Sequence, residues 1–444
     1  MPFAQPDERI ASCRACEGLE LTPAFRLPGE DPWVFCGDAD GQGGCGLLQR
    51  GTPGPRGPAP ARPPLSWTEQ HRLRAATHQA LEMLTTRDGA ALDVCAEGGC
   101  QGGALAETLP RWIAPVCIDA GLADGGPRGW GEAVAADFAA QAGQDALDAA
   151  GHDRFDLVTV IGALEEADDP LALLMRVAQR LSEDGIAVVE TPYAALALTR
   201  TLPSAFHERA QSVFMLSVLE RLVRAAGLRI VRGLMTESAG GSIRLFLTHE
   251  GHAGHDYDPW LADLARLWDE EASLALHGRQ PYRAFAARQA ERARAVGEMA
   301  AGMAARFEHA YVLDGGARVE AAMRGAGLGP DLVTAVIGAA PLRLDGQLVE
   351  TVTEEAARAA PPDAIIAPAW RRREALEQWH GYVSEGGKLV FVEPELQVVD
   401  ADSYPTELGR ALAVTDGPGS VESLRAALSA MRGPQISLVA QRRA

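Results

Sequence analysis

The sequence predicts an α/β protein of more than one domain, and three observations predict it. Strand-like and helix-like runs alternate along most of the chain, and 444 residues suffice for about two or three cores of ordinary size. An apolar strand also opens into a glycine-rich turn and a helix at Leu92-Asp93-Val94-Cys95-Ala96-Glu97-Gly98-Gly99-Cys100-Gln101-Gly102-Gly103. Such a turn is where α/β proteins hold nucleotide-like ligands, because glycine lets the backbone come close to the ligand. A second apolar run, Ile113 to Ile118, ends in Asp119, an acid placed to accept hydrogen bonds from a ribose. The spacing therefore predicts a nucleoside cofactor; the competing reading is a tight strand-to-helix connection.

Residues 1–50 hold four of the seven cysteines, Cys13, Cys16, Cys36 and Cys45, and little apolar content. A segment of that kind needs a staple. Cys13-x-x-Cys16 offers two thiolates from one tight turn, and Cys36 with Cys45 completes the four-sulfur shell that zinc prefers. The Gly37 to Gly44 spacer is long for a second pair, yet its glycines allow it to fold back. Structural zinc is the expectation, against reduced or redox-active thiols in a cytosolic protein.

Residues 51–66 are rich in proline and glycine and read as a linker. Between 67 and 256 a helix from about Thr68 to Leu84 is followed by strands near 90–95, 113–119, 155–161 and 185–191. Helices near 102–110, 169–182 and 214–226 alternate with them, which predicts a largely parallel sheet. Leu228–Met235 and Ser242–Leu247, separated by turn residues, predict an antiparallel hairpin on the sheet edge. Residues 257–307 turn to Ala, Arg, Glu and Met with helical periodicity, a connector of one or two helices. Residues 308–444 repeat the rhythm as a second, smaller Rossmann-like unit. Its strand Ala310–Leu313 is followed by the turn Asp314-Gly315-Gly316 and a helix to Arg324, then strands near 331–337, 363–368 and 388–393. A last helix, Val421–Met431, and strand, Gln435–Ala440, are expected to extend it.

Lys and Arg number 41 against 60 Asp and Glu, a net charge of -19, so the field repels a phosphate backbone and nucleic acid is excluded as a partner. No apolar run has membrane-spanning length, and the first residues lack the basic and hydrophobic regions of a secretory signal. A cytoplasmic protein acting on a small molecule is expected, with no membrane partner.

The motifs in their order resemble bacterial S-adenosylmethionine-dependent sugar C-methyltransferases of three domains. Cys13-Arg14-Ala15-Cys16 and Cys45-Gly46-Leu47-Leu48-Gln49 are similar to the family's zinc segments. Phe155-Asp156-Leu157-Val158 with Ala163-Leu164-Glu165-Glu166 and Asp169-Pro170, then Gly185 to Pro192, resemble its fourth and fifth strand regions. Phe206-His207-Glu208-Arg209 and Gly240-Gly241-Ser242-Ile243-Arg244 are similar to its two active-site loops. Gly327 to Val333, Ala369-Trp370, Gly386-Gly387-Lys388 and Val392-Glu393-Pro394-Glu395 resemble motifs of its C-terminal domain.

The resemblance implies an N-terminal zinc module, a central class I methyltransferase domain and a smaller Rossmann-like C-terminal domain. It implies methyl transfer from S-adenosylmethionine to a ring carbon of a nucleotide-linked keto sugar, with a base removing the proton beside the carbonyl. The cofactor is expected on Asp93, Gly98, Gly99 and Asp119, with Asp137 near the adenine. Arg244 and Arg318 are the expected substrate contacts, Arg318 as a phosphate ligand at a helix N-terminus or as a solvent-exposed helix arginine.

Several acid–base positions depart from the family pattern. Leu-Glu-His becomes Leu164-Glu165-Glu166, Tyr-x-Glu-His becomes Phe206-His207-Glu208-Arg209, the His before Gly-Gly-Ser becomes Ala239, and Cys95 stands at the usual first glycine. His207 and Glu208 are then the candidates for proton transfer. The competing roles are a surface loop histidine, and a salt bridge from Glu208 to Arg209 or Arg244. Glu166 reads as an acid at a helix N-terminus beside Asp168 and Asp169, with a base as the competing role. Two other functions compete: a catalytically silent partner or binding subunit, and isomerisation of a nucleotide-linked substrate. His249, His252 and His255 read as a polar connector rather than a metal site, and Trp260 with Trp268 as packing on one helix face.

Overall fold

The structure, a computed structural model, describes residues 10–38, 40, 42–54, 67–85, 89–95, 104–121, 131–252, 254–306, 308–338 and 340–413. The glycine turn at 96–103, the linker residues 55–66 and the expected tail elements beyond 413 lie outside the described residues. Three short antiparallel strands open the chain, β1 (Leu21–Phe25), β2 (Trp33–Cys36) and β3 (Leu48–Arg50).

The central domain runs through α1 (Trp67–Leu81), β4 (Gly89–Val94), α2 (Ala104–Thr108), β5 (Ile113–Ile118), β6 (Glu132–Val134), α3 (Gln141–Ala149) and β7 (Phe155–Ile161). It continues with α4 (Pro170–Arg180), β8 (Leu181–Pro192), α5 (Ala194–Thr199), β9 (Ser212–Val213), α6 (Leu216–Ala225), β10 (Leu228–Thr236) and β11 (Ser242–His249). Seven of these strands form one sheet in the order β10-β11-β8-β7-β4-β5-β6, with β4 to β8 parallel and β11 antiparallel to both neighbours. The strand order reverses between β4 and β7, so a crevice opens at their C-terminal ends. Helices cover both faces, which is why consecutive residues such as Leu157 and Val158, or Ile186 to Val189, are all buried rather than alternating with exposed ones. α4 starts where the chemistry of a cap requires it. The Asp169 carboxylate accepts the Ala172 amide at 2.9 Å, Pro170 takes the first turn, and Leu173, Leu174 and Val177 line the buried face.

The expected hairpin is present, Leu228 facing His249 and Thr236 facing Ser242. The connector is a pair of helices, α7 (Asp258–Ser273) and α8 (Arg279–Ala305). Trp260 and Trp268 both lie on α7, partly buried, with the Arg232 guanidinium 4.9 Å from the Trp260 ring.

The last unit comprises β12 (Ala310–Leu313), α9 (Ala317–Ala326), β13 (Val333–Ile337), β14 (Arg343–Leu344), β15 (Gln347–Leu348), β16 (Glu350–Val352) and α10 (Glu354–Ala359). β17 (Ala364–Ile366), α11 (Arg372–Gln378), α12 (His380–Ser384), β18 (Lys388–Phe391), β19 (Gln397–Val399) and α13 (Tyr404–Ala413) complete it. Its sheet has the order β16-β13-β12-β17-β18-β19 and is parallel apart from β19.

The N-terminal segment is not a bead on a string. β9 of the central domain pairs antiparallel with β3 and becomes the fourth strand of its sheet. Phe206 sits edge-on to Phe25 and Trp33, each at 5.0 Å between centroids, and Phe285 of α8 closes the cluster at 4.6 Å from Phe25. Residues 51–54, read from the sequence as linker, are tied down: the Gly51 amide donates to Pro32 O at 2.9 Å and the Gly54 amide to Gln211 Oε1 at 3.1 Å.

Candidate functional site

Three expected cofactor residues stand at one end of the central sheet. Asp93, near the end of β4, is buried, its Oδ1 accepting the Thr159 hydroxyl at 2.6 Å and its Oδ2 facing the Cys95 thiol at 3.2 Å. Cys95 occupies the position where the family has glycine. Its sulfur faces the Asp93 carboxylate and lies 3.9 Å from the Cys117 sulfur. Asp119 follows β5, is 1% exposed, and accepts the Gly121 amide at 2.7 Å. Asp137 follows β6, is exposed, and accepts the Ala139 amide at 3.0 Å. Gly98 and Gly99 lie outside the described residues.

A second group of polar residues gathers at the turn after β7, with a side chain from the C-terminal unit. Glu165 is fully buried, its Oε1 accepting Arg318 Nη2 at 2.6 Å and its Oε2 accepting the Thr191 hydroxyl at 3.1 Å. Burial pushes the Glu165 carboxyl above its ordinary value, and the Arg318 charge pulls it back. Arg318 is in the first turn of α9, so this pair joins two domains. Its side chain is 24% exposed and its Nη1 is buried with no hydrogen-bond partner among the described residues, which excludes a merely solvated helix arginine.

Glu166 does not cap the following helix; Asp169 does that, and Glu166 instead takes Arg209 Nε at 3.0 Å. Two positions at which the chain departs from the family pattern are thus in contact with each other as an ion pair. His207 is buried at 2% exposure, not a surface histidine, while Glu208 beside it is exposed. Neither expected salt bridge of Glu208 forms, because Arg209 turns to Glu166 and Arg244 to Glu190.

Arg244 is 3% exposed and its guanidinium is committed on three sides: Nε to Glu190 at 2.5 Å, Nη1 to Gln79 at 2.9 Å and Nη2 to Arg72 O at 3.2 Å. The expectation that it meets substrate gives way to a bracing role between β8, β11 and α1. His249, the last residue of β11, and His252 and His255 beyond it form no metal cluster among the described residues; His249 Nε2 lies 3.2 Å from Leu181 O and His252 Nδ1 3.3 Å from Asp184.

The sequence reading passed over Glu165, Thr191 and Gln211. A carboxylate four residues after a largely apolar strand, preceded by the apolar pair Ala163-Leu164, is the available signal for Glu165.

The sulfurs of Cys13, Cys16, Cys36 and Cys45 converge, all within 4.8 Å of one another, with Cys13–Cys45 and Cys16–Cys36 each 3.5 Å apart. A tetrahedral zinc with bonds of about 2.3 Å needs sulfur separations of roughly 3.8 Å, so the four residues fit that ion. The long spacer closes because Gly44 packs on Cys36, where a Cβ would lie 2.4 Å from the carbonyl oxygen. The hydrogen bond from Cys45 lowers the Cys13 thiol to about 5, whereas burial raises Cys36 to about 12 and the hydrogen bond to Cys13 raises Cys45.

Residues 69–232 match the model of a methyltransferase domain, and residues 237–394 that of a C-methyltransferase C-terminal domain. The protein is an S-adenosylmethionine-dependent methyltransferase. Of the competing readings, an enzyme is the one that stands, and its function is C-methyltransferase-like. The second matched segment begins just before β11 and ends at Pro394, so it takes in the connector helices and Arg318. The methyltransferase is 28% identical over 347 residues to C-methyltransferase NovU of Streptomyces niveus, an alignment covering 75% of this chain and 79% of that one. Among solved structures it is similar to 1,6-didemethyltoxoflavin-N1-methyltransferase of Burkholderia thailandensis, with 18% identity over 41% of this chain and 78% of that one (TM-score 0.30). Another is magnesium protoporphyrin IX methyltransferase of Synechocystis PCC 6803, at 13% identity, 41% and 84% coverage and a TM-score of 0.31. No helix among the described residues is long and apolar enough to cross a membrane.

Proposed function

We propose that the methyltransferase methylates a ring carbon of a nucleotide-linked keto sugar and that its four-cysteine cluster holds a structural zinc ion. In this reading S-adenosylmethionine lies at the tips of β4, β5 and β6, on Asp93, Asp119, Asp137 and the Gly98-Gly99 turn, and supplies an activated methyl group when bound. The acceptor lies between the 206–209 loop and Arg318. The observation that supports the proposal is the Glu165–Arg318 pair at 2.6 Å, which ties the C-terminal unit to the turn that follows β7.

The chemistry assigned to this chain's residues follows from their types. A ring carbon becomes nucleophilic when the proton beside its carbonyl leaves, and imidazole is the side chain best suited to take it, so His207 is the proposed acceptor. The electron pair left behind spreads onto the carbonyl oxygen, where a fixed cationic donor stabilises it. Arg318 Nη1, buried and without a partner among the described residues, is that donor or a ligand of the sugar-linked phosphate. Glu165 holds the guanidinium in place, and Glu208 is exposed to solvent.

Calorimetric titration with S-adenosylmethionine and S-adenosylhomocysteine tests the cofactor half. Both are expected to bind, and Asp119→Asn should weaken each by about tenfold, roughly 1.4 kcal/mol for one lost ribose contact. Binding of neither overturns the placement. Release of S-adenosylhomocysteine across a panel of nucleotide-linked keto sugars tests the acceptor half. There His207→Asn is expected to bind cofactor normally and lose about 10²- to 10⁴-fold in turnover. Undiminished turnover removes His207 as the base.

A further inference from the structure

The loop from Thr201 to Gln211 is held from three directions, and the N-terminal module grips it closest to His207. Arg50, the last residue of β3, is 5% exposed and reaches across the domain boundary. Its Nη2 donates to His207 O at 2.9 Å, its Nε to Ala210 O at 3.3 Å, and its backbone amide to Gln211 O at 2.9 Å. His207 O also accepts the Ala210 amide at 3.0 Å, so a single guanidinium fixes both ends of the turn that presents His207, Glu208 and Arg209. Arg50 is itself fixed by the Trp33 ring, 5.6 Å away, and by Glu30 at 3.9 Å.

A second arginine links this grip to the cysteine cluster. Arg14 lies inside the Cys13-x-x-Cys16 turn. Its amide donates to Gln49 Oε1 at 3.0 Å, its Nη1 to Arg50 O at 3.2 Å and its Nη2 to Gln211 Oε1 at 3.2 Å. The Gln211 amide in turn donates to Glu165 O at 2.7 Å, next to the interdomain ion pair. The path from the cysteine turn to the candidate base is therefore a continuous set of directional bonds.

We propose that Arg50 is a positioning residue for the 206–211 loop, and that Arg14 relays the geometry of the four-cysteine module to it. The N-terminal module then sets the placement of the acid–base loop as well as stabilising the fold. The proposal rests on the reading of this loop as part of the active site, and its test separates the two.

Amide hydrogen exchange is followed by mass spectrometry in the full chain for wild type, Arg50→Ala, Arg50→Lys and Arg14→Ala, each checked for metal content. Lysine keeps the charge beside Glu30 and Trp33 but cannot bridge the His207 and Ala210 carbonyls. Exchange at Ala210 and Gln211 is expected to rise about tenfold or more in both Arg50 variants and less in Arg14→Ala, while β4 and β5 keep their protection. Cofactor affinity should stay within about twofold, and kcat should fall about tenfold with KM for S-adenosylmethionine unchanged. Unchanged loop protection in a metal-replete Arg50→Lys overturns the proposal, as does loosening shared equally with β4 and β5. If Arg50→Ala fails to fold, Arg50→Lys and Arg14→Ala decide. If wild type turns over no nucleotide-linked sugar, the proposed acceptor fails, and the exchange experiment still reads the grip on the loop.

Discussion

Cys13→Ser is expected to strip the chain of its metal and leave most of it insoluble. The N-terminal segment has three strands of three to five residues and no helix among its described residues, too little to fold alone. Structural zinc contributes about 10–16 kcal/mol in comparable small modules, as much as the whole stability of a domain. Removing one ligand also uncovers Phe25 and Trp33, whose rings are shared with Phe206 and Phe285, so the central domain loses part of its core as well. Metal analysis per chain and the soluble fraction after expression measure the effect, with Cys95→Ser as the control that keeps its metal. One equivalent of zinc retained by soluble Cys13→Ser rejects the four-sulfur site.

The second large effect is expected from Glu165→Ala. Breaking a buried ion pair from one side costs about 3–5 kcal/mol because the surviving charge has no partner. With Arg318 24% exposed, the lower end of that range applies. Arg318→Ala leaves Glu165 fully buried and should cost at least as much. The double variant is expected to lose clearly less than the two single losses together, which thermal unfolding of all four proteins measures; strict additivity would show that the pair does not interact.

The pH dependence has a defined sign. The folded pKa of Glu165 is raised, so above the ordinary carboxylate value of 4.5 the folded chain holds this proton more tightly than the unfolded one. Stability from this group is therefore lost as pH rises from 4.5 toward the raised value. Glu165→Gln should flatten that slope, and an unchanged slope would assign it to other buried acids.

The central sheet was legible because both of its signals are local. β4, β5, β7 and β8 are mostly apolar runs with few polar residues in their buried stretches, and the hairpin of β10 and β11 is two largely apolar runs around a polar turn. β6 and β9 were not, since Glu132-Ala133-Val134 and Ser212-Val213 are too short to carry a period and become strands only through a neighbour's edge. The first cysteine pair was legible in its Cys-x-x-Cys spacing, whereas the long spacer between Cys36 and Cys45 left their place in the cluster to the fold. The roles of the arginines did not. Arg244, Arg209 and Arg318 each have several acids within a few residues of a plausible path, and only the fold decides that their partners are Glu190, Glu166 and Glu165. His207 and Glu208, adjacent in sequence, separate into a buried and an exposed side chain for the same reason.

The pairing of Leu48 with Val213 and of Gln49 with Ser212 also bears on how the polypeptide is made. The ribosome releases the cysteine-rich segment long before it has synthesised the strand that seals its open edge, so the nascent chain carries an uncovered β edge through most of the central domain's synthesis. A fragment ending ahead of Ser212 should therefore self-associate. For the same reason the segment cannot be transplanted as an independent cassette without its borrowed strand.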